Sequence, residues 1–90
     1  MTAELRELLR RQIVRCCSQA RGNGVTLEML VQLCRTPAGR PALADVKDEV
    51  EYLVGKGLVE KVDKRISPEI GAWKITSDGR DFAAQEGLDE

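Results

Sequence analysis

The chain has 90 residues, 42% of them hydrophobic and 32% charged, with 14 Lys/Arg against 15 Asp/Glu and no histidine. That length holds one small domain spanning residues 1–90, which buries only roughly 60–65% of its unfolded surface. A net charge of −1 argues against strong nonspecific binding to a polyanion.

Residues 2 to about 20 are predicted as a first helix. Leu5, Leu9, Ile13, Cys16 and Ala20 recur at steps of four, four, three and four, and Leu8 and Cys17 widen the stripe. Glu4, Glu7, Arg11, Arg15 and Ser18 share the opposite face, with Glu7 and Arg11 at the supportive spacing of four. Val14 lies on that polar face, which leaves two readings: a lone exposed valine, or the edge of a contact between two copies of the chain. The same segment, MTAELRELLRRQ, reads as a charged helix rather than a secretion signal. No run approaches the roughly 18 consecutive apolar residues of a membrane span, so a cytoplasmic location with no membrane partner is expected.

Arg21-Gly22-Asn23-Gly24 stops this helix. Val25 is placed to form a short strand, and Thr26 is a good N-cap for a second helix with the stripe Leu27, Leu30, Val31 and Cys34. Met29 and Leu33 lie beside that stripe, so the second helix is expected to be largely buried. Two prolines and a glycine in Thr36-Pro37-Ala38-Gly39-Arg40-Pro41 end it. The loop is expected to hold a partial helical turn and to be anchored in the core by Leu43.

Asp45 is the expected N-cap of a third helix, and the carboxylates of Asp45 and Asp48 both favour its positive end. Val46, Val50, Leu53 and Val54 form its inward stripe, and Gly57 closes it in the left-handed conformation. Residues 58–63 then read as a strand, residues 64–71 as a loop turning at Ser67-Pro68, and residues 72–75 as the returning strand. Ile66 and Ile70 in that loop either fold under it or meet a protein partner. Thr76 caps a last short helix, Phe82 and Ala83 pack inward, and Gly87 ends it.

Charge is divided along the chain. Residues 1–40 carry seven arginines against three glutamates, a net of +4, and residues 41–90 carry seven Lys/Arg against twelve Asp/Glu, a net of −5. Cys16 and Cys17 point about 100° apart on one helix, and Cys34 stands alone on the next. Without histidine these three form no zinc-type spacing, so neither metal nor cofactor is expected, and they read as small buried residues of a reducing compartment. No nucleophile stands at motif spacing from a base and no glycine-rich phosphate loop exists, so no enzymatic activity is expected. Trp73 reads as core rather than as a stacking platform.

Two stretches carry a resemblance. Val46, Val50 and Leu53 lead into Lys56-Gly57-Leu58-Val59, and Trp73-Lys74-Ile75-Thr76 leads into Gly79-Arg80. In the order helix, strand, helix, helix, hairpin, helix, the chain resembles the winged helix-turn-helix family, including MarR-like and PadR-like transcriptional regulators. The resemblance covers essentially the whole chain. It implies a mainly α fold with a small antiparallel β-sheet: a three-helix core, a two-stranded wing and a short C-terminal helix. It further implies a small non-enzymatic DNA-binding protein, a transcriptional regulator and homodimer, with double-stranded DNA as partner.

In that family the third helix enters the major groove. The groove-facing positions would be Asp45, Lys47, Asp48, Glu51 and Tyr52, three of them carboxylates, with Glu49 adding a fourth. Phosphates repel such a cluster. The DNA reading therefore rests on Arg35, Arg40, Lys47, Tyr52, Lys61, Lys64 and Arg65. The alternative is a protein–protein interaction module that uses the acidic third helix, with Val14, Asp45, Asp48, Glu51 and Tyr52 as its interface.

Overall fold

The computed structural model describes residues 2–20, 24–62 and 71–88. Within them the elements are α1 (Ala3–Ala20), β1 (Val25–Thr26), α2 (Leu27–Leu33), α3 (Leu43–Gly55), β2 (Val59–Lys61), β3 (Ala72–Ile75) and α4 (Ser77–Glu86). Their order is the one expected from sequence, and the architecture is mainly helical with a small antiparallel sheet.

Apolar spacing explains why these segments meet. Leu9, Ile13 and Cys17 of α1, Leu30 of α2, and Val46, Val50 and Leu53 of α3 are buried together in one cluster. Each such aliphatic side chain contributes roughly 1.5–3 kcal/mol relative to an exposed one. The strands close one end of this cluster in the order β1-β3-β2. Val25 pairs with Trp73, Val59 with Ile75 and Lys61 with Trp73, so Val25, Val59 and Ile75 face the core.

Element ends follow from single residues. The Thr26 hydroxyl accepts from Met29 N at the start of α2. Gly57 takes φ +75°, and Leu58 N then donates to Leu53 O at 3.0 Å, which turns α3 directly into β2. Gly87 at φ +68° closes α4 in the same way, with Leu88 N donating to Ala83 O at 2.7 Å. Thr76 does two things at once. Its Oγ1 accepts from Gly79 N at 3.0 Å as the N-cap of α4, and donates to Gly57 O at 2.5 Å. Thr76→Ala is accordingly expected to lower unfolding stability by about 1–2 kcal/mol in urea titration, with Thr76→Ser retaining most of it.

Several expectations are corrected. Val14 is 0% exposed, because α4 folds back over α1 and brings Phe82 beside it. It is therefore neither a stray surface valine nor free to meet a second copy. Helix α3 begins at Leu43 with Ala42 at its N-cap position, so Asp45 lies in the first turn instead of capping it. Leu43 is 48% exposed, and Pro41 is the buried residue of that loop. The loop contains no helical turn. Thr36 and Gly39 bridge each other through Thr36 N to Gly39 O at 2.7 Å and Gly39 N to Thr36 O at 2.9 Å. Helix α2 is short and less buried than its composition suggests, with Met29 45% and Leu33 57% exposed. Leu8 of α1 is likewise exposed. The hairpin loop, with Lys64, Arg65, Ile66 and Ile70, lies outside the described residues.

Candidate nucleic-acid interface

Helix α3 turns Val46, Val50 and Leu53 inward, and Glu49 goes with them at 5% exposure. A buried carboxylate needs a partner, and α1 supplies one: Arg10 Nε donates to Glu49 Oε1 at 2.6 Å. The Arg10 guanidinium also lies 3.7 Å from the centroid of the Tyr52 ring, and Lys56 Nζ lies 5.6 Å from the same ring. Arg6, Arg10, Asp45, Asp48, Glu49 and Tyr52 together line a recess of about 320 Å³. On the other flank of α3, a cleft of about 560 Å³ holds Lys47, Glu51 and Val54 opposite Lys61 and Trp73 of the hairpin and Leu27 and Glu28 of α2.

The carboxylates of α3 are thus divided between two recesses. Asp45, Asp48 and Glu49 share theirs with two arginines, and Glu51 with Glu28 shares the other with two lysines. Over the two linings together, four cations stand against five carboxylates, although α3 itself carries one lysine against four carboxylates. No helix among the described residues is long and apolar enough to cross a membrane, and no group of three or more His, Cys, Asp or Glu there is placed to hold a metal ion.

No protein-family model and no curated protein matches the chain. Among solved structures it is similar to the adhesin competence repressor AdcR of Streptococcus pyogenes, at 15% identity and TM-score 0.70 over 88% of this chain and 52% of that one. It is similar also to Bordetella bronchiseptica BpsR, whose DNA binding is regulated by 6-hydroxynicotinic acid, at 19% identity and TM-score 0.64 over 94% of this chain and 52% of that one. Wild-type MarR from E. coli superposes at 21% identity and TM-score 0.61 over 94% of this chain and 54% of MarR. The fold is a winged helix-turn-helix. The chain spans about half the length of each of these proteins.

The winged helix places the expected site residues unevenly. Lys47, Asp48 and Glu51 are exposed on α3, whereas Asp45 is half-buried and Tyr52 is covered on one side by Arg10. Arg35 and Arg40 are both exposed in the loop before α3. The Arg35 guanidinium is already engaged, donating to the carbonyls of Gln32 and Cys34 at the end of α2. Lys61 stands on the wing strand next to the α3 cleft, while Lys64 and Arg65 lie outside the described residues. Lys74 on the wing pairs with Glu60 across the strands at 3.3 Å, an exposed contact worth little. Trp73 is half-buried on the wall of the α3 cleft, where one part of the indole packs on the core.

Sequence reasoning missed Arg6 and Arg10. Their spacing of four on the flank of the α1 stripe was the available signal, but the residues they face stand on α3, Glu49 and Tyr52 for Arg10. With Val14 buried, the expected dimer loses the residue that motivated it.

Proposed function

We propose that the chain is a non-enzymatic DNA-binding winged helix that acts as a regulator of transcription. What supports this reading is that cations line both recesses in which the α3 carboxylates stand, with Arg10 and Glu49 forming an ion pair. Arg6 and Arg10 on one side, and Lys47 and Lys61 on the other, offset the charge that would otherwise keep the helix away from phosphates. The likeness in fold to BpsR, a protein whose DNA binding is regulated, supports the same assignment. In this reading Lys47, Lys61 and Arg40 hold the backbone, and Asp48 and Glu51 oppose it.

Fluorescence anisotropy on a random duplex tests this. Asp48→Asn with Glu51→Gln is expected to tighten binding several-fold. Lys47→Ala with Lys61→Ala is expected to weaken it and to lower the salt slope by about one to two units, near one per phosphate contact. A second reading, a protein-binding module using Asp45, Asp48, Glu51 and Tyr52, is favoured by the 42% exposure of Tyr52. Absence of duplex binding by the wild-type chain even at low salt would remove the first reading and leave the second.

A further inference from the structure

The cleft between α3 and the wing is walled by an aromatic ring. Trp73 stands on β3 directly opposite Lys61 of β2, on the same face of the sheet as buried Ile75. Its indole packs against the edge of the core and lines the cleft of about 560 Å³. Gly71 makes room for the ring. A Cβ at that position would lie 3.1 Å from Trp73 Cη2, 3.5 Å from Cζ3 and 3.8 Å from Lys61 Cε. A methyl there would press the six-membered ring aside by a few tenths of an ångström. Helix α3 lines the same cleft with Lys47, Glu51 and Val54, at steps of four and three along one face. Leu27 and Glu28 join them from the start of α2.

We propose that this cleft binds one unpaired guanine base of a nucleotide. The assignment follows from which groups share the space. Trp73, Leu27 and Val54 form an apolar wall with a flat indole in it, and every base offers a π-face for stacking. Lys47 and Lys61 suit the phosphate. Glu28 and Glu51 carry carboxylates, which accept hydrogen bonds and donate none. They match a base edge that offers two donors side by side. Guanine has that edge in N1–H and the N2 amino group. Adenine and cytosine place a ring acceptor beside their amino group, and uracil places its single N–H between two carbonyls. Each of these sets an acceptor against a carboxylate oxygen, which repels it. In a duplex the guanine edge is already paired with cytosine. The ligand is therefore a free nucleotide or an unpaired base in a single strand.

The cleft shares its two lysines with the duplex-binding reading but goes beyond it, and Glu51 separates the two. Glu51→Gln removes a charge that repels duplex phosphates, and it also removes an acceptor pair for guanine.

Trp73 is the only tryptophan of the chain, so its fluorescence reports on this cleft alone. The test is a titration of the 90-residue chain with GMP, AMP, CMP and UMP, then with single-stranded oligo-dT with and without one central dG. The expected result is saturable quenching by GMP, roughly tenfold tighter than by the other three nucleotides, the size of one bidentate pairing. A response to GMP without one to the dG strand assigns a free nucleotide, and a tighter response to the dG strand assigns single-stranded nucleic acid. Both support the guanine site. At least one of Glu28→Gln and Glu51→Gln should abolish the preference for GMP while leaving AMP binding and the urea midpoint unchanged. Both side chains are exposed, so neither change threatens the fold. Equal quenching by all four nucleotides, a preference kept in both glutamine variants, or no response to GMP and the dG strand would each overturn the proposal. Random-duplex binding measured on the same samples keeps the two readings apart: duplex binding without a guanine response removes only this site, and a guanine response without duplex binding removes only the other reading.

Discussion

Gly79→Ala is expected to destabilise the domain by about 3 kcal/mol or more, read from urea unfolding, although it adds a single methyl group. A Cβ at this position would sit 2.0 Å from Leu58 O and 2.7 Å from Ile75 Cγ1. Neither neighbour can yield cheaply. Leu58 O accepts from Thr76 N at 3.1 Å, so moving it disturbs the start of α4 and the turn after Gly57 together. Ile75 is buried on β3. The control is Gly55→Ala at the end of α3, where nothing lies within 4 Å of the added methyl. That change should be neutral or stabilise by about 0.5 kcal/mol through lower unfolded-state entropy. Equal effects at the two positions would show that the close approach of α4 to the α3–β2 turn is not a constraint.

Arg10→Ala should have a comparable effect, about 3 kcal/mol, because it strands the Glu49 carboxylate in the core. The side chain of Glu49 is only 6% exposed, while that of Arg10 is 23% exposed. Solvent near the arginine therefore screens the pair somewhat, and the loss belongs at the lower end of the range for buried pairs. Removing the guanidinium also uncovers the Tyr52 ring on which it lies. Replacing both partners, as Arg10→Met with Glu49→Leu, should return stability to within about 1 kcal/mol of wild type, since no charge is then left buried alone. A double-mutant cycle in urea measures the difference. A loss below about 1 kcal/mol for Arg10→Ala alone would mean that water reaches Glu49 and the pair is only a surface contact.

What the chain made legible was local. Thr26 and Thr76 declare helix starts by side-chain chemistry, Gly57 and Gly87 declare ends by conformation, and the span of β3 follows from its position between two breaks. Contacts set by distant partners were not legible. Val14 falls on the polar side of α1 when that helix is read alone, and only α4 turns it into core. Glu49 reads as one more surface carboxylate of α3 until Arg10, 39 residues earlier, is beside it. The exposure of Met29, Leu33 and Leu43 was misjudged for the converse reason, since an apolar helix face signals burial only where another element arrives to cover it. The candidate interface suffered most. Its charge depends on which carboxylates of α3 face arginines of α1, and helical periodicity cannot show that.

The return of α4 over α1 also sets an order of events during synthesis. Val14, Leu53, Leu58 and Phe82 wall one apolar cleft, closed at its rim by the Arg11–Glu86 pair across 75 residues of chain. Until α4 leaves the ribosome, Val14 and its neighbours Leu53 and Leu58 stay wet. At roughly 5–20 residues per second, each nascent copy spends about a second or more with that surface open to chaperones and to other nascent chains. The ten-residue α4 thus acts as a latch over α1 and α3. A ribosome stalled before residue 77 would hold a chain with α1 and α3 made and the apolar wall they share still lacking Phe82.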